Sequence, residues 1–155
     1  MALDLSYIGR TYPASAPYGV SRAKIREFAE SIGDDNPLYT DPAAATAAGF
    51  PDVVVPPTFL TIINLAAINV VIEDPELGLD YGRMVHGDQK FTYRRQVHAG
   101  DELRVVVHIE DIMFRAGNDF INLRADVYDA DDEIVVVCHA QLVVREAEKP
   151  AEVTG

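Results

Sequence analysis

The run "PPTFLTIINLAAINVVIED", residues 56–74, restricts this chain most, because it is apolar on nearly every side. Its length favours a helix over a strand despite its Ile and Val content, with Pro57 near the first turn, where proline is tolerated. A helix without a polar face has to be surrounded by protein. The chain that follows supplies the wrapping. "MVHGDQKFTYR", "DELRVVVHIEDIMF", "FINLRADVYD" and "EIVVVCHAQLVVR" read as strands, separated by the turn signals "AGD", "RAGND" and "DADD". Leu103, Val105, Val107 and Ile109 share one strand face while Arg104, His108 and Glu110 take the other, and Ile134, Val136, Cys138, Ala140 and Leu142 repeat the pattern. One long buried helix followed by consecutive antiparallel strands, with an extra strand expected from "TYPASAPYGV", predicts an α+β domain: a curved antiparallel sheet around a long central helix.

Upstream, "SRAKIREFAESIG" forms the first clear helix. Ser21 caps it, Ile25, Phe28, Ala29 and Ile32 fall on one stripe, and Gly33 stops it. The loop "DDNPLYTD" therefore leaves directly from a helix end. A short helix, "DPAAATAAG", follows, and Gly49, Pro51, Pro56 and Pro57 keep the next stretch irregular. No repeat or internal linker divides the 155 residues. Residues 1–145 read as one domain, and "EAEKPAEVTG", residues 146–155, as a disordered acidic tail.

Composition excludes several functions. A net charge of -12 opposes any binder of a phosphate backbone, which needs clustered cations, so no nucleic-acid partner is expected. The start "MALDLSYIGR" lacks the basic residues and apolar run of a signal peptide, and no stretch reaches the roughly 18 apolar residues that span a bilayer. The expected location is the cytoplasm, without a membrane partner. The single cysteine, Cys138, is expected to be a packed strand residue. Four scattered histidines with no short spacing give no metal signal, and nothing calls for a cofactor. Of these, His98, His108 and His139 sit in turn or strand contexts and read as structural.

The order of a helix, then "GDDNP", "GFPDVVVPPTFL" and "HGDQKFTYRRQVHAGDEL" resembles the MaoC-like hydratase/dehydratase family, and more closely its FAS1-like dehydratase branch, which includes the mycobacterial (3R)-hydroxyacyl-ACP dehydratase subunits. The resemblance covers about residues 5 to 145 and implies a hot-dog fold. In catalytic members of that family the loop reads Gly-Asp-x-Asn-Pro-aliphatic-His-x-Asp. Gly33, Asp34, Asn36, Pro37, Leu38 and Asp41 match; the histidine position holds Tyr39.

The resemblance implies addition or removal of water across the Cα–Cβ bond of an acyl thioester. That reaction needs an acid or base with a pKa near working pH, a second group to handle water, and a backbone amide for the developing enolate oxygen. Imidazole suits the first role because it titrates near neutrality. A phenol with a pKa of about 10 is ionised to roughly one part in a thousand at pH 7, so Tyr39 is a poor general base. Read without the resemblance, Asp34, Asp35 and Asn36 before a proline are ordinary residues of a helix-to-turn junction.

The site residues implied are therefore Asp34 and Tyr39 as the altered catalytic pair, with Asn36, Pro57, Thr58, His86 and Gly87 lining the substrate cleft. His86 supplies the missing proton transfer only if the fold brings it near Asp34. The densest basic stretch, "KFTYRRQVH", either is a solvated strand face or offers Lys90, Arg94 and Arg95 to the phosphates of CoA or to an acidic carrier protein. Three functions remain open at this stage. One is a dehydratase subunit that binds the acyl chain while a histidine-bearing partner performs proton transfer. Another is a self-sufficient homodimeric hydratase using Asp34 with Tyr39 or His86, and the third is a thioester-binding module without turnover. The expected ligand is an acyl-ACP or acyl-CoA thioester. The expected assembly is a homodimer or a heterodimer with a related subunit, since exposed sheet edges commonly pair.

Overall fold

The computed structural model describes residues 3–145, and the expectation for the tail at 146–155 lies outside them. Helix α1, Arg22–Ser31, starts where Ser21 accepts a hydrogen bond from the Lys24 N–H at 3.1 Å. It ends at Gly33, whose φ of 70° needs a residue without a Cβ. Helix α2, Pro42–Ala47, follows the loop, and α3, Thr61–Ile72, is the central helix. It begins later than the apolar run because residues 57–60 form turns. Ile32, expected on the apolar stripe of α1, falls beyond the helix end and is 48% exposed.

Four long strands follow: β2 (Met84–Tyr93), β3 (Glu102–Arg115), β4 (Asn118–Tyr128) and β5 (Ile134–Arg145). The extra strand is short. β1, Tyr18–Gly19, pairs with the start of β3, and Thr11 makes a single bridge to His108. All pairings are antiparallel, in the order β1-β3-β4-β5-β2. The chain is thus a hot-dog domain, a curled five-stranded sheet around α3. The β3–β4 hairpin turns through Ala116 and Gly117, both at positive φ (49° and 77°), the backbone that matches strand twist in a two-residue turn.

The core forms where the sheet meets the helix. Leu103, Val105, Val107 and Ile109 of β3 and Ile121, Leu123, Ala125 and Val127 of β4 are buried, together with Ile63, Ala67, Ile68 and Val71 of α3. On the opposite face of the sheet, Arg124 reaches Glu110 and Asp126 at 3.3 and 3.2 Å. The wrapping of α3 is incomplete within one chain. Leu65 and Val70 remain 41% and 38% exposed, Leu65 beside β2 at the edge of the sheet and Val70 on the side of the N-terminal segment and β3.

Candidate active site

The loop after α1 is built by its own polar residues. The Asp34 N–H donates to the Ala29 carbonyl at 3.0 Å, and its Oδ1 accepts from the Asn36 N–H at 3.2 Å. The Asn36 Oδ1 accepts from the Leu38 N–H at 3.0 Å, capping a 3-10 turn at Pro37–Tyr39. Asp41 caps α2 by accepting from the Ala43 N–H at 2.9 Å. The junction role that such residues ordinarily play is therefore filled. It also has a consequence for the site, because these bonds fix the direction of Tyr39, which turns inward to 8% exposure. The Leu38 carbonyl accepts from the Val54 N–H at 3.0 Å and ties the loop to the segment that leads into α3.

Asp34 and Tyr39 lie together. Burial, and after it the facing Asp34 carboxylate, pushes the Tyr39 phenol above its ordinary value. Tyr93 stands on the other side: burial raises its pKa first, followed by the charges of Cys138 and Tyr39, and its hydroxyl donates to the Pro57 carbonyl at 2.8 Å. Thr58 is exposed next to Pro57, and α3 starts without a side-chain cap. The group comprises a carboxylate, two neutral phenols and the positive end of a helix dipole. The carboxylate can exchange a proton. The dipole of a helix start favours an oxygen gaining negative charge, although the Thr61 and Ile62 N–H groups already donate to the Thr58 and Phe59 carbonyls at 3.0 and 3.1 Å. Tyr39 can donate a hydrogen bond, but a raised pKa makes it a still weaker base at neutral pH.

The other residues singled out in the sequence are distributed elsewhere. His86 lies on β2 seven residues from Tyr93, roughly 23 Å along an extended strand, so one chain does not bring it to Asp34. It faces the far half of α3 with Met84, near Leu65 and Ile68. Gly87 occupies a β-bulge, where the register with β5 shifts between His86 and Asp88. A Cβ there would come within 3.1 Å of a Val143 methyl. Lys90 and Arg94 are exposed, as a carrier contact requires. Arg95 is not available for one: its guanidinium bridges Asp101 at 2.9 Å and Asp129 at 3.0 Å, two carboxylates that turn a basic stretch into a structural tie.

Cys138 is fully buried, and burial pushes its thiol up to about 12. Among the described residues, no cluster of three or more His, Cys, Asp or Glu side chains is placed to hold a metal. The sequence reading missed Tyr93 as a neighbour of the loop. Alternation along "QKFTY" puts Gln89, Phe91 and Tyr93 on one face and was the signal that could have found it.

The fold defines a hot-dog protein, in which the loop carrying Asp34 and Tyr39 is tied to the segment leading into its central helix. The sequence profile of the FAS1-like dehydratase domain region matches residues 6–138, and the chain belongs to that family of MaoC-like hot-dog dehydratases and hydratases. It is 57% identical over 149 residues to a UPF0336 protein of Streptomyces coelicolor, covering 96% of this chain and 99% of that one. Among solved structures it resembles a MaoC-like dehydratase with a TM-score of 0.85 and 32% identity; the match covers 92% of this chain and 43% of that longer one. It also resembles the (3R)-hydroxyacyl-ACP dehydratase complex HadBC of Mycobacterium tuberculosis, with a TM-score of 0.80 and 28% identity, covering 88% of this chain and 96% of that one. No helix among the described residues is long and apolar enough to cross a membrane.

Proposed function

We propose that this chain is a subunit of a (3R)-hydroxyacyl thioester dehydratase or hydratase. In this reading it supplies acyl-chain binding, while a histidine-bearing hot-dog partner performs proton transfer on an ACP- or CoA-linked substrate. The observation that carries this is Tyr39, which stands where the family's catalytic members hold histidine. It is buried against Asp34 with its phenol shifted further from neutrality. General acid–base catalysis commonly contributes about 10²- to 10⁴-fold, and its loss would leave a chain with little activity of its own. The apolar side of α3 offers the wall that an acyl chain requires.

A second reading follows from β2. His86 and Tyr93 both face α3 from this edge strand. Antiparallel pairing of two copies along β2 would carry the His86 end of one strand toward the Tyr93 end of the other. His86 of a second copy would then stand in for the missing imidazole.

Hydration of a trans-2-enoyl pantetheine thioester separates the two. The purified chain should show little turnover, Tyr39→His should raise it about tenfold or more, and Asp34→Asn in that background should remove the gain. The restoration stays partial, because the surrounding side chains do not hold an imidazole in place. Robust turnover by the unmodified chain that disappears in His86→Ala would establish the second reading and overturn the first.

A further inference from the structure

Along the junction of α3 and β2 the chain is closed at one level and open at another. At the start of the helix the Tyr93 hydroxyl reaches the Pro57 carbonyl. Further along, the Asn64 Nδ2 donates to the Gln89 Oε1 at 3.1 Å, and the Gln89 Nε2 donates to the His139 carbonyl at 3.0 Å. Asn64 has no exposed surface, so helix and strand are in contact there. Past that tie they part. Met84 and His86 face Leu65 across an open, mainly apolar hollow of about 340 Å³, floored by the buried Ile68 and Leu142, with the 72% exposed Tyr81 at its mouth. That volume lies in the range of ligand clefts, roughly 300–1,000 Å³.

The sheet determines what this hollow adjoins. At one edge the Tyr12 and Ser15 N–H groups of the N-terminal segment donate to the Val107 and Val105 carbonyls of β3 at 2.9 and 2.8 Å, while β2, at the other edge, has no outer neighbour among the described residues. A second hot-dog chain extends the sheet along β2 without displacing anything, and a two-fold axis makes the added strand antiparallel. For a second copy, Gln89 on that axis sets Asp88 of each strand against Lys90 of the other, opposite charges on the outer face. The Tyr93 end of the added strand, and with it the loop of the partner chain, then lies beside Met84 and His86.

We propose that the hollow seats the alkyl chain of an acyl thioester whose reacting end is held by the loop of the partner chain, and that Leu65, Met84 and His86 set the length of chain accepted. The proposal rests on the acyl-thioester reading above. A thioester at this chain's own loop is not the source: Tyr93 and His86 are roughly 23 Å apart along the strand, and the Asn64–Gln89 tie closes the junction between them. Proton transfer then needs only the partner's loop. This chain contributes its hollow, which tyrosine in place of histidine at position 39 leaves untouched.

The test uses the full-length chain in the assembly it forms, with butanoyl, octanoyl and dodecanoyl pantetheine as probes. Each methylene buried in an apolar hollow gains about fourfold in affinity, so calorimetric affinity should rise about a hundredfold or more from butanoyl to dodecanoyl. Leu65→Trp and His86→Trp, which widen side chains at exposed positions on the rim, should each weaken dodecanoyl binding far more than butanoyl binding, with thermal unfolding as in the wild type. A dodecanoyl pantetheine with a photoreactive diazirine at each end should join two chains on a denaturing gel, its alkyl end attached to the peptides that hold Leu65 or Met84. Cross-links confined to single chains, or an alkyl end attached near Pro57, overturn the assignment. So does a wild-type affinity that is flat with chain length, the result expected if side chains of the partner fill the hollow. Each of these leaves the acyl-thioester reading standing. If no pantetheine thioester binds, that reading falls and the assignment falls with it.

Discussion

An imidazole replaced by a phenol changes which protons can move at neutral pH, and position 39 shows how much of that change depends on surroundings. Asp34 and burial together move Tyr39 away from neutrality, so its contribution at working pH is that of a hydrogen-bond donor. The turnover gained by Tyr39→His should therefore rise with pH through about 6.5, where imidazole ordinarily loses its proton. A gain that is flat with pH would mean that position 39 does not act as the base. Arg95 makes the same point for the basic stretch. Its hydrogen bond holds the Asp129 carboxyl below the usual carboxylate range, assisted by the Glu133 N–H. A carboxyl depressed in the folded state adds stability above about pH 4, the ordinary unfolded value, and that stability is lost as pH falls through the folded value. Arg95→Ala should cost about 1–2 kcal/mol at pH 7, less than a fully buried pair because 36% of the side chain still reaches solvent. Denaturant unfolding should show the gap from wild type shrinking below pH 3; an equal gap at both pH values would contradict the ionic account.

At the scale of elements, α3 has two unlike sides although its sequence is apolar throughout. Ile68 is 1% exposed, and Ile68→Ala should lower the unfolding free energy by about 2–5 kcal/mol. Val70 is 38% exposed, and Val70→Ala should cost under about 1 kcal/mol in the isolated chain. Equal losses at both positions would mean that the open side is covered by the chain itself. The end of α3 is anchored by the N-terminal segment: Tyr12 donates to Asp74 at 2.9 Å and Arg10 approaches the same carboxylate at 3.5 Å. The turn signals in the sequence are local chemistry and were legible, but not the positive φ of Ala116, a residue that carries a Cβ. The brevity of β1 was not, because pairing to β3 depends on how much of a proline-rich segment reaches that edge.

For the whole molecule, the open side of α3 and the unpaired edge of β2 are neighbours, and together they ask for a second subunit. Leu65 is 41% exposed there, and Val85, on the outer face of β2, is 39% exposed. A backbone edge next to apolar side chains favours strand pairing with another chain. Sedimentation at micromolar concentration should show a dimer or a complex with a related hot-dog chain. Leu65→Asp with Val85→Asp should shift it toward monomer. A wild-type chain that sediments only as monomer, with no partner retained from its native source, would contradict this. The proposed carrier contact belongs to the same scale: with Arg95 tied down, reversing Lys90 and Arg94 should weaken carrier binding more at low salt than at high, since exposed charges are screened. Unchanged affinity in both buffers would remove these two residues from the interface.

Element types, their order, the apolar strand faces and the altered loop motif were all present in the sequence, because periodicity and turn chemistry act over a few residues. Alternation says which face a side chain takes, but not which distant residue it will meet. Only the folded chain decided that Arg95 closes on Asp129, that Tyr39 stands between Asp34 and Tyr93, and that Asn64 is chained to His139 through Gln89. The bulge at Gly87 shows why. A single inserted residue moves every later side chain of an edge strand to the other face, and whether it is accommodated depends on the partner strand rather than on the segment itself.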